Sequence, residues 1–199
     1  MKPCPPSRSV KPRGGAWRNG SIGCALLLAL SAMAASAQER PPTSPGRDVD
    51  VTYQIAVGPK ILEERWRFLA AAGRSRVDVD PRAFLIADRK TRTATMVDVA
   101  AQSALDIPMR SMGPGDLAGS VGTRLGSLEV AGLPCTEWQL QDNSGRDVIG
   151  CFTGDGIMLR ARRGDRVAIQ ASRVSFDAQD PANFQVPPGF KRETVPRAQ

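Results

Sequence analysis

Two cysteines and four arginines are the residues here whose types and spacing point to chemistry. Cys135 and Cys151 flank Asp142-Asn143-Ser144-Gly145, a run of turn-forming residues. A turn centred near Asn143 or Ser144 sets them on neighbouring antiparallel strands, pointing to one side. Trp138, Leu140, Val148 and Phe152 then point to the other. This geometry permits a cross-strand disulfide and leaves open an offset of two residues between the partners. A redox-active pair would need a CxxC spacing at a helix start, and the chain has neither. The expected bond is structural, and closing such a loop is worth on the order of 3 kcal/mol.

Arg65, Arg67, Arg74 and Arg76 make the second constellation. In a hairpin spanning Leu62 to Asp80 with Phe68 facing Gly73, Arg67 meets Arg74 and Arg65 meets Arg76. Four guanidiniums then share one face, with Leu62, Trp66, Phe68, Val77 and Val79 on the reverse. Such a cluster suits an anionic group, a lipid phosphate or a sugar acid. The plainer account is a solvated sheet face eased by Glu63, Asp78 and Asp80.

Other chemistries are excluded by composition. The chain has no histidine, which removes Ser-His-Asp and Cys-His catalysis and His-based zinc sites. Of the four cysteines, Cys4 and Cys24 fall in the N-terminal leader, and the remaining two are too few for a thiolate metal cage. Asp88, Asp98, Asp155 and Asp165 are carboxylates available for acid–base work, but no spacing singles out a pair, and turn aspartates are ordinary. Asp155-Gly156 reads as a turn, not a calcium loop, and Arg163-Gly164-Asp165 lies in a tight turn that needs no partner. No catalytic residue, cofactor or metal is expected. Trp66, Phe68, Trp138, Leu140 and Phe152 are the candidate lining of a ligand cavity, with core packing as the competing use of the same side chains.

The elements that must position these residues begin after a leader. Lys2, Arg8, Lys11, Arg13 and Arg18 precede an apolar run, Cys24 to Ala37, ending in Ala35-Ser36-Ala37. A basic lead, a short apolar core and a small-x-small ending form a secretory signal peptide, with cleavage expected after Ala37. Five of the 27 basic residues and none of the 20 acidic ones lie in it, so the formal charge of +7 falls to +2 in residues 38–199. That balance and a single tyrosine argue against nucleic acid. No later apolar run approaches the roughly 20 residues of a membrane span, so no integral anchor is expected. An even pair of cysteines after the leader fits an oxidising compartment, read here as the bacterial periplasm.

Residues 38–47 read as a flexible Pro-rich linker, 48–192 as one β-rich domain and 193–199 as a tail. Val49, Val51, Tyr53, Ile55 and Val57 alternate with polar residues as a half-buried strand does. Further alternating runs and hairpin signals follow at Arg89-Lys90-Thr91 and Gly164-Asp165, whereas 100–124 is mostly a Gly-rich loop around a short strand at 104–107. Prolines 187 and 188 cannot donate to a ladder, so the closing segment is expected as a clasp pinned by Phe184, Val186 and Phe190.

The strand ending Ile86-Ala87-Asp88-Arg89-Lys90, the run Val130-Ala131-Gly132-Leu133-Pro134-Cys135, Cys151 and the closing Phe184-Gln185-Val186-Pro187-Pro188-Gly189-Phe190 resemble a family of exported bacterial domains. Their layout is similar to that of the LolA and LolB periplasmic lipoprotein carriers. The resemblance covers most of residues 48–192. It implies a mainly β fold: a single strongly curved antiparallel sheet, an incomplete barrel with at most one or two short helices. The expected function is non-catalytic binding or carriage of an apolar or amphiphilic envelope ligand, a lipid or lipoprotein, on the concave face. Two other readings stand beside it. An envelope interaction module that binds another envelope protein would show a solid core and open edges. A carboxylate-dependent hydrolase would show a pair of buried aspartates in one cleft. The expected state is a monomer.

Overall fold

The computed structural model describes residues 39–109, 117, 120–142 and 144–195. The leader with Cys4 and Cys24, most of the Gly-rich run 110–119, Asn143 and the last four residues lie outside the described residues.

Twelve strands form one sheet: β1 Val49–Val57, β2 Lys60–Leu69, β3 Arg74–Asp80, β4 Ala83–Asp88, β5 Thr93–Asp98, β6 Ser103–Pro108, β7 Thr123–Val130, β8 Leu133–Gln141, β9 Asp147–Phe152, β10 Met158–Arg163, β11 Arg166–Ser175 and β12 Lys191–Thr194. Their order is β12-β6-β5-β4-β3-β2-β1-β11-β10-β9-β8-β7, so the sheet is open, with β12 and β7 at its edges. Neighbours are antiparallel except β12, which runs parallel to β6. The one named helix among the described residues is a 3-10 turn, Pro181–Phe184. The expected fold class stands.

The alternation in β1 does what it predicts: Val49, Val51 and Tyr53 are buried. They pack with Leu128 and Val130 of β7, which lies five strands away in the sheet order. A cluster that spans this distance requires the sheet to curl with the Val49 side of β1 concave. Register sets Leu128, Val130 and the two cysteines on the side of β7–β9 opposite Trp138, and the bulges in β10 and β11 let them join it. Cys135 and Cys151 belong to the same cluster and are bonded, with Cα atoms 5.5 Å apart. Cys151 lies opposite Glu137, so the bridge runs diagonally with the two-residue offset. Denatured without reductant, the chain from Gln38 onward should offer no thiol to a maleimide reagent; two labelled groups per chain would contradict the bond.

The β2–β3 hairpin differs from the sequence expectation. Phe68 pairs with Ser75 and Leu69 with Arg74, leaving residues 70–73 as the turn. Gly73 closes it at φ +68 and donates its N–H to the carbonyls of Leu69 and Ala70. A left-handed residue ending the turn is what glycine supplies, and that fixes the register two residues from the one expected. Arg67 therefore faces Arg76, and Arg65 faces Asp78.

Residues 39–47, expected to be flexible, are instead packed on the sheet. Glu39 and Gly122 exchange both backbone hydrogen bonds, at 3.1 and 2.9 Å, and Pro41 and Pro45 are buried. The Arg47 guanidinium lies 3.5 Å from the Phe176 ring centre and donates to Asp155 at 2.8 Å. Proline rings, with little conformational freedom to lose, are good material for such a strap.

The closing segment is the expected clasp. Val186 and Phe190 pack against Phe84, Ile86, Val97 and Ala104, and Phe184 is 1% exposed. The segment continues as β12, so ordered structure crosses the expected boundary at 192. Arg192 holds β12 to β6 by donating to both oxygens of Asp106, at 2.6 and 3.0 Å. These bonds keep the Asp106 carboxyl below its ordinary value. A depressed native pKa adds stability above the unfolded value of about 3.9 that is lost as pH falls through the native value. Hydrogen exchange in β12 should therefore speed up below about pH 4, and Asp106→Asn should abolish that pH dependence.

Candidate functional site

Register places the five candidate lining residues on one face. Leu62 pairs with Ile55, Ile55 with Ile169, Ile169 with Ala161, Ala161 with Gly150 and Gly150 with Trp138. Trp66 and Phe68 share the side of Leu62, and Leu140 and Phe152 share the side of Trp138. Within that layer they divide into two groups. Phe68 belongs to the cluster of Val49, Val51 and Tyr53, with Trp66 packed against it and the two rings stacked at 5.9 Å. Trp138, Leu140 and Phe152 pack with Leu117, Val148, Met158 and Ala161.

The layer is filled where the groups meet. A pocket between Tyr53, Trp66, Arg89, Phe152, Gly156 and Met158 has a volume of about 20 Å³ under Thr43 and Pro45. That is room for a water or two, against roughly 300–1,000 Å³ for a site that engulfs a drug-sized ligand. The Tyr53 hydroxyl donates to the Met158 carbonyl at 2.6 Å. Burial, and then the nearby Glu64 charge, push the phenol well above its ordinary pKa, so it remains a donor at any physiological pH. Arg89 stands at the pocket's edge, its guanidinium 5.2 Å from the Phe68 ring centre and donating to the Ser44 hydroxyl. Burial lowers its pKa, and among the described residues it has no carboxylate partner.

Gly156 makes the strap's close approach possible. A Cβ there would lie 2.5 Å from the Ser44 carbonyl oxygen, and the residue sits at φ +90. Gly156→Ala should lift residues 43–45 off the sheet and speed tryptic cleavage after Arg47, read by mass; an unchanged digestion rate would show that the strap is not held there.

The four arginines do share the opposite, convex face, but each is matched by a carboxylate. Arg65 pairs with Asp50, Arg67 and Arg76 both with Asp78, and Arg74 with Asp88. Arg76 also stacks over Phe84 at 3.6 Å and donates to the Asn183 carbonyl of the clasp. Arg67, only 7% exposed, is a buried structural cation and not part of a solvated face. Asp50 and Asp88 come from β1 and β4, outside the one hairpin from which the cluster was inferred. Beside them Asp50, Thr52, Arg65, Arg173, Ser175 and Asp177 line an open polar groove of about 360 Å³.

The aspartates considered for catalysis sit apart, Asp88 and Asp98 at the ends of β4 and β5 and Asp155 and Asp165 in turns. Asp88 accepts from Lys90 and Thr91 N–H, Asp98 from Ala101 N–H, Asp155 from Thr153 and Arg47, and Asp165 is exposed in the β10–β11 turn. Among the described residues the buried polar side chains are Arg67, Ser75, Thr95 and Thr153, so no pair of buried carboxylates converges there.

The exposed apolar surface that sequence reasoning did not find is the β1–β2 hairpin tip. Val57, Ile61 and Leu62 are 52%, 63% and 50% exposed. Val57 and Leu62 lie on the concave side and Ile61 on the other, with Lys60 beside them. The signal was present in the run Lys60-Ile61-Leu62, where two adjacent apolar residues cannot both face one core.

The sequence matches no protein-family model and no curated protein. Among solved structures the chain is similar to an uncharacterized conserved protein from Thermus thermophilus. The TM-score is 0.55 at 11% identity, over 75% of this chain and 91% of that one. It is also similar to MucB, with a TM-score of 0.49 at 14% identity over 75% of this chain and 60% of MucB. A structure of the Pseudomonas aeruginosa MucA/MucB complex gives 0.49 and 14% over 70% of this chain and 56% of that one. The likeness to the Thermus protein is one of fold, that of the single open sheet.

Proposed function

We propose that the protein is a non-catalytic binding protein of the cell envelope that takes hold of another envelope protein through the β1–β2 hairpin tip. Location rests on the leader's residue pattern and on a disulfide that an oxidising compartment would preserve. The observation that carries the reading is the distribution of apolar groups. Among the described residues the pocket beside Tyr53, Trp66 and Phe152 on the concave face holds only about 20 Å³, while Val57 and Leu62 on one side and Ile61 on the other stand exposed at one hairpin tip. Apolar groups clustered on a surface mark an interaction site more often than scattered ones do. A photo-crosslinking residue at Ile61 should give one discrete adduct in the native envelope, and one at Thr91 should give none. Leu62→Asp should remove the adduct. No adduct from position 61, or the same adduct from both positions, would overturn the proposal.

The carrier reading retains one supporting observation. Arg89 is a half-buried cation without a carboxylate partner among the described residues, set against Trp66 and Phe152 under the strap. With residues 43–45 displaced, that arrangement offers a charge for an anionic head and apolar side chains for its chain. Recovery of bound lipid distinguishes this reading from the first.

A further inference from the structure

We infer that the β7 edge pairs with the same edge of a second copy of this chain, with Arg124 set against the partner's Glu129 at each end of a two-fold contact. The sheet is open at β7. Gly122, just before it, exchanges both backbone bonds with Glu39, so the outer side of this edge already accepts an antiparallel residue. Backbone groups alternate in direction, so those of Arg124, two residues on, also point outward. At the far end Glu129 lies opposite Pro134, which has no N–H to offer, so the backbone groups of Glu129 are turned outward as well.

Leu125 brings the two ends into agreement. It is the extra residue of a bulge, falling between the pairs Arg124–Trp138 and Gly126–Glu137. Five residues apart in a regular strand, Arg124 and Glu129 would project to opposite faces. With the bulge, Arg124 faces Trp138 and Glu129 faces Pro134, positions of β8 on the same side of the sheet. With Leu125 and Gly126 sharing one position, a two-fold axis through the sheet at Ser127 then places Arg124 beside the partner's Glu129 twice, and Leu125 beside the partner's Leu128. Leu125 is 46% exposed, Arg124 and Glu129 are exposed, and among the described residues neither charge has an ion-pair partner. Glu39 at Gly122 bounds the contact at its start. Such an interface is isologous, as closed dimers require. It departs from the expected monomer and does not use the hairpin tip.

A six-residue edge pairing buries less than a standard interface, so the expected dimer is weak, with Kd about 10–100 µM. The test is sedimentation equilibrium of the chain from Gln38 onward, across concentrations spanning that range. The wild type should dimerise. Arg124→Glu and Glu129→Arg should each weaken the dimer at least about tenfold through like-charge contact, and the double exchange should bring Kd back to within about threefold of wild type. Both side chains are exposed, so all variants should keep the wild-type melting temperature, and a variant that does not is replaced by Arg124→Gln or Glu129→Gln with the same expected sign. A wild type monomeric throughout, single variants that dimerise like wild type, or a double variant that stays monomeric while the singles are disrupted would each overturn the pairing. The bulge would then serve as protection of a bare edge.

Discussion

Phe184→Ala should lower the stability of the protein by about 3–5 kcal/mol, the range for emptying a buried phenylalanine site. The ring is 1% exposed at the end of a 3-10 turn started by Asp180, whose carboxylate accepts the Ala182 N–H at 2.9 Å. Arg76 of β3 donates to the Asn183 carbonyl at 2.9 Å, so turn and sheet are tied on either side of the ring. The consequence reaches beyond the cavity. The chain from Pro181 onward carries Val186 and Phe190 across the convex face before it becomes β12. Without its anchor, the Phe84, Ile86, Val97 and Ala104 cluster loses cover, and β12 should exchange its amides well before global unfolding. A urea titration showing a loss below about 1 kcal/mol would mean that the clasp is decoration and not part of the core.

Asp78→Ala should cost a comparable amount, about 3–5 kcal/mol, as breaking a buried ion pair from one side does. Asp78 is the only carboxylate that pairs with Arg67 among the described residues, and it also accepts from Arg76 at 2.7 Å. Arg67 and Arg76 are directly opposed across β2 and β3. Removing the shared carboxylate leaves two facing guanidiniums, one of them 7% exposed, with no counter-charge. Asp78→Asn keeps the shape and should be nearly as damaging. Adding Arg67→Leu to Asp78→Ala should recover more than half of the loss, because an apolar side chain suits that site better than an unmatched cation. Equal stability of the single and double variants, measured by denaturant midpoint, would show that Arg67 reaches solvent when Asp78 is gone.

The fold was largely legible because strand alternation is a local signal. Val49 to Val57 declares its buried face without reference to any other strand, and Asp142 to Gly145 declares the turn that aligns the cysteines. Register was less legible. Ala70-Ala71-Ala72-Gly73 fits a turn beginning at either Leu69 or Ala70, and only the φ of Gly73 decides between them. That two-residue difference changed which arginines faced each other, although the shared face survived because the shift was even.

The site was harder to read for a different reason. Asp50 and Asp88 neutralise Arg65 and Arg74 from strands 15 and 14 residues away in sequence. Partners of that kind follow from sheet order, which alternation does not report. The strap was hidden for the same cause: Pro41 and Pro45 look like punctuation until Gly156 is seen to leave space for Ser44. The parallel placement of β12 on β6 likewise needs the clasp's path, which no pattern within Lys191–Thr194 encodes.

If the concave apolar layer is satisfied by the protein's own side chains, recognition takes place on the outer surface. Native mass spectrometry of the protein purified from its own envelope tests this most directly. The expected result is the mass of residues 38–199 with one disulfide and no bound lipid, unchanged after release under mild detergent. A stoichiometric lipid adduct that disappears when Arg89 or Trp66 is replaced would contradict it.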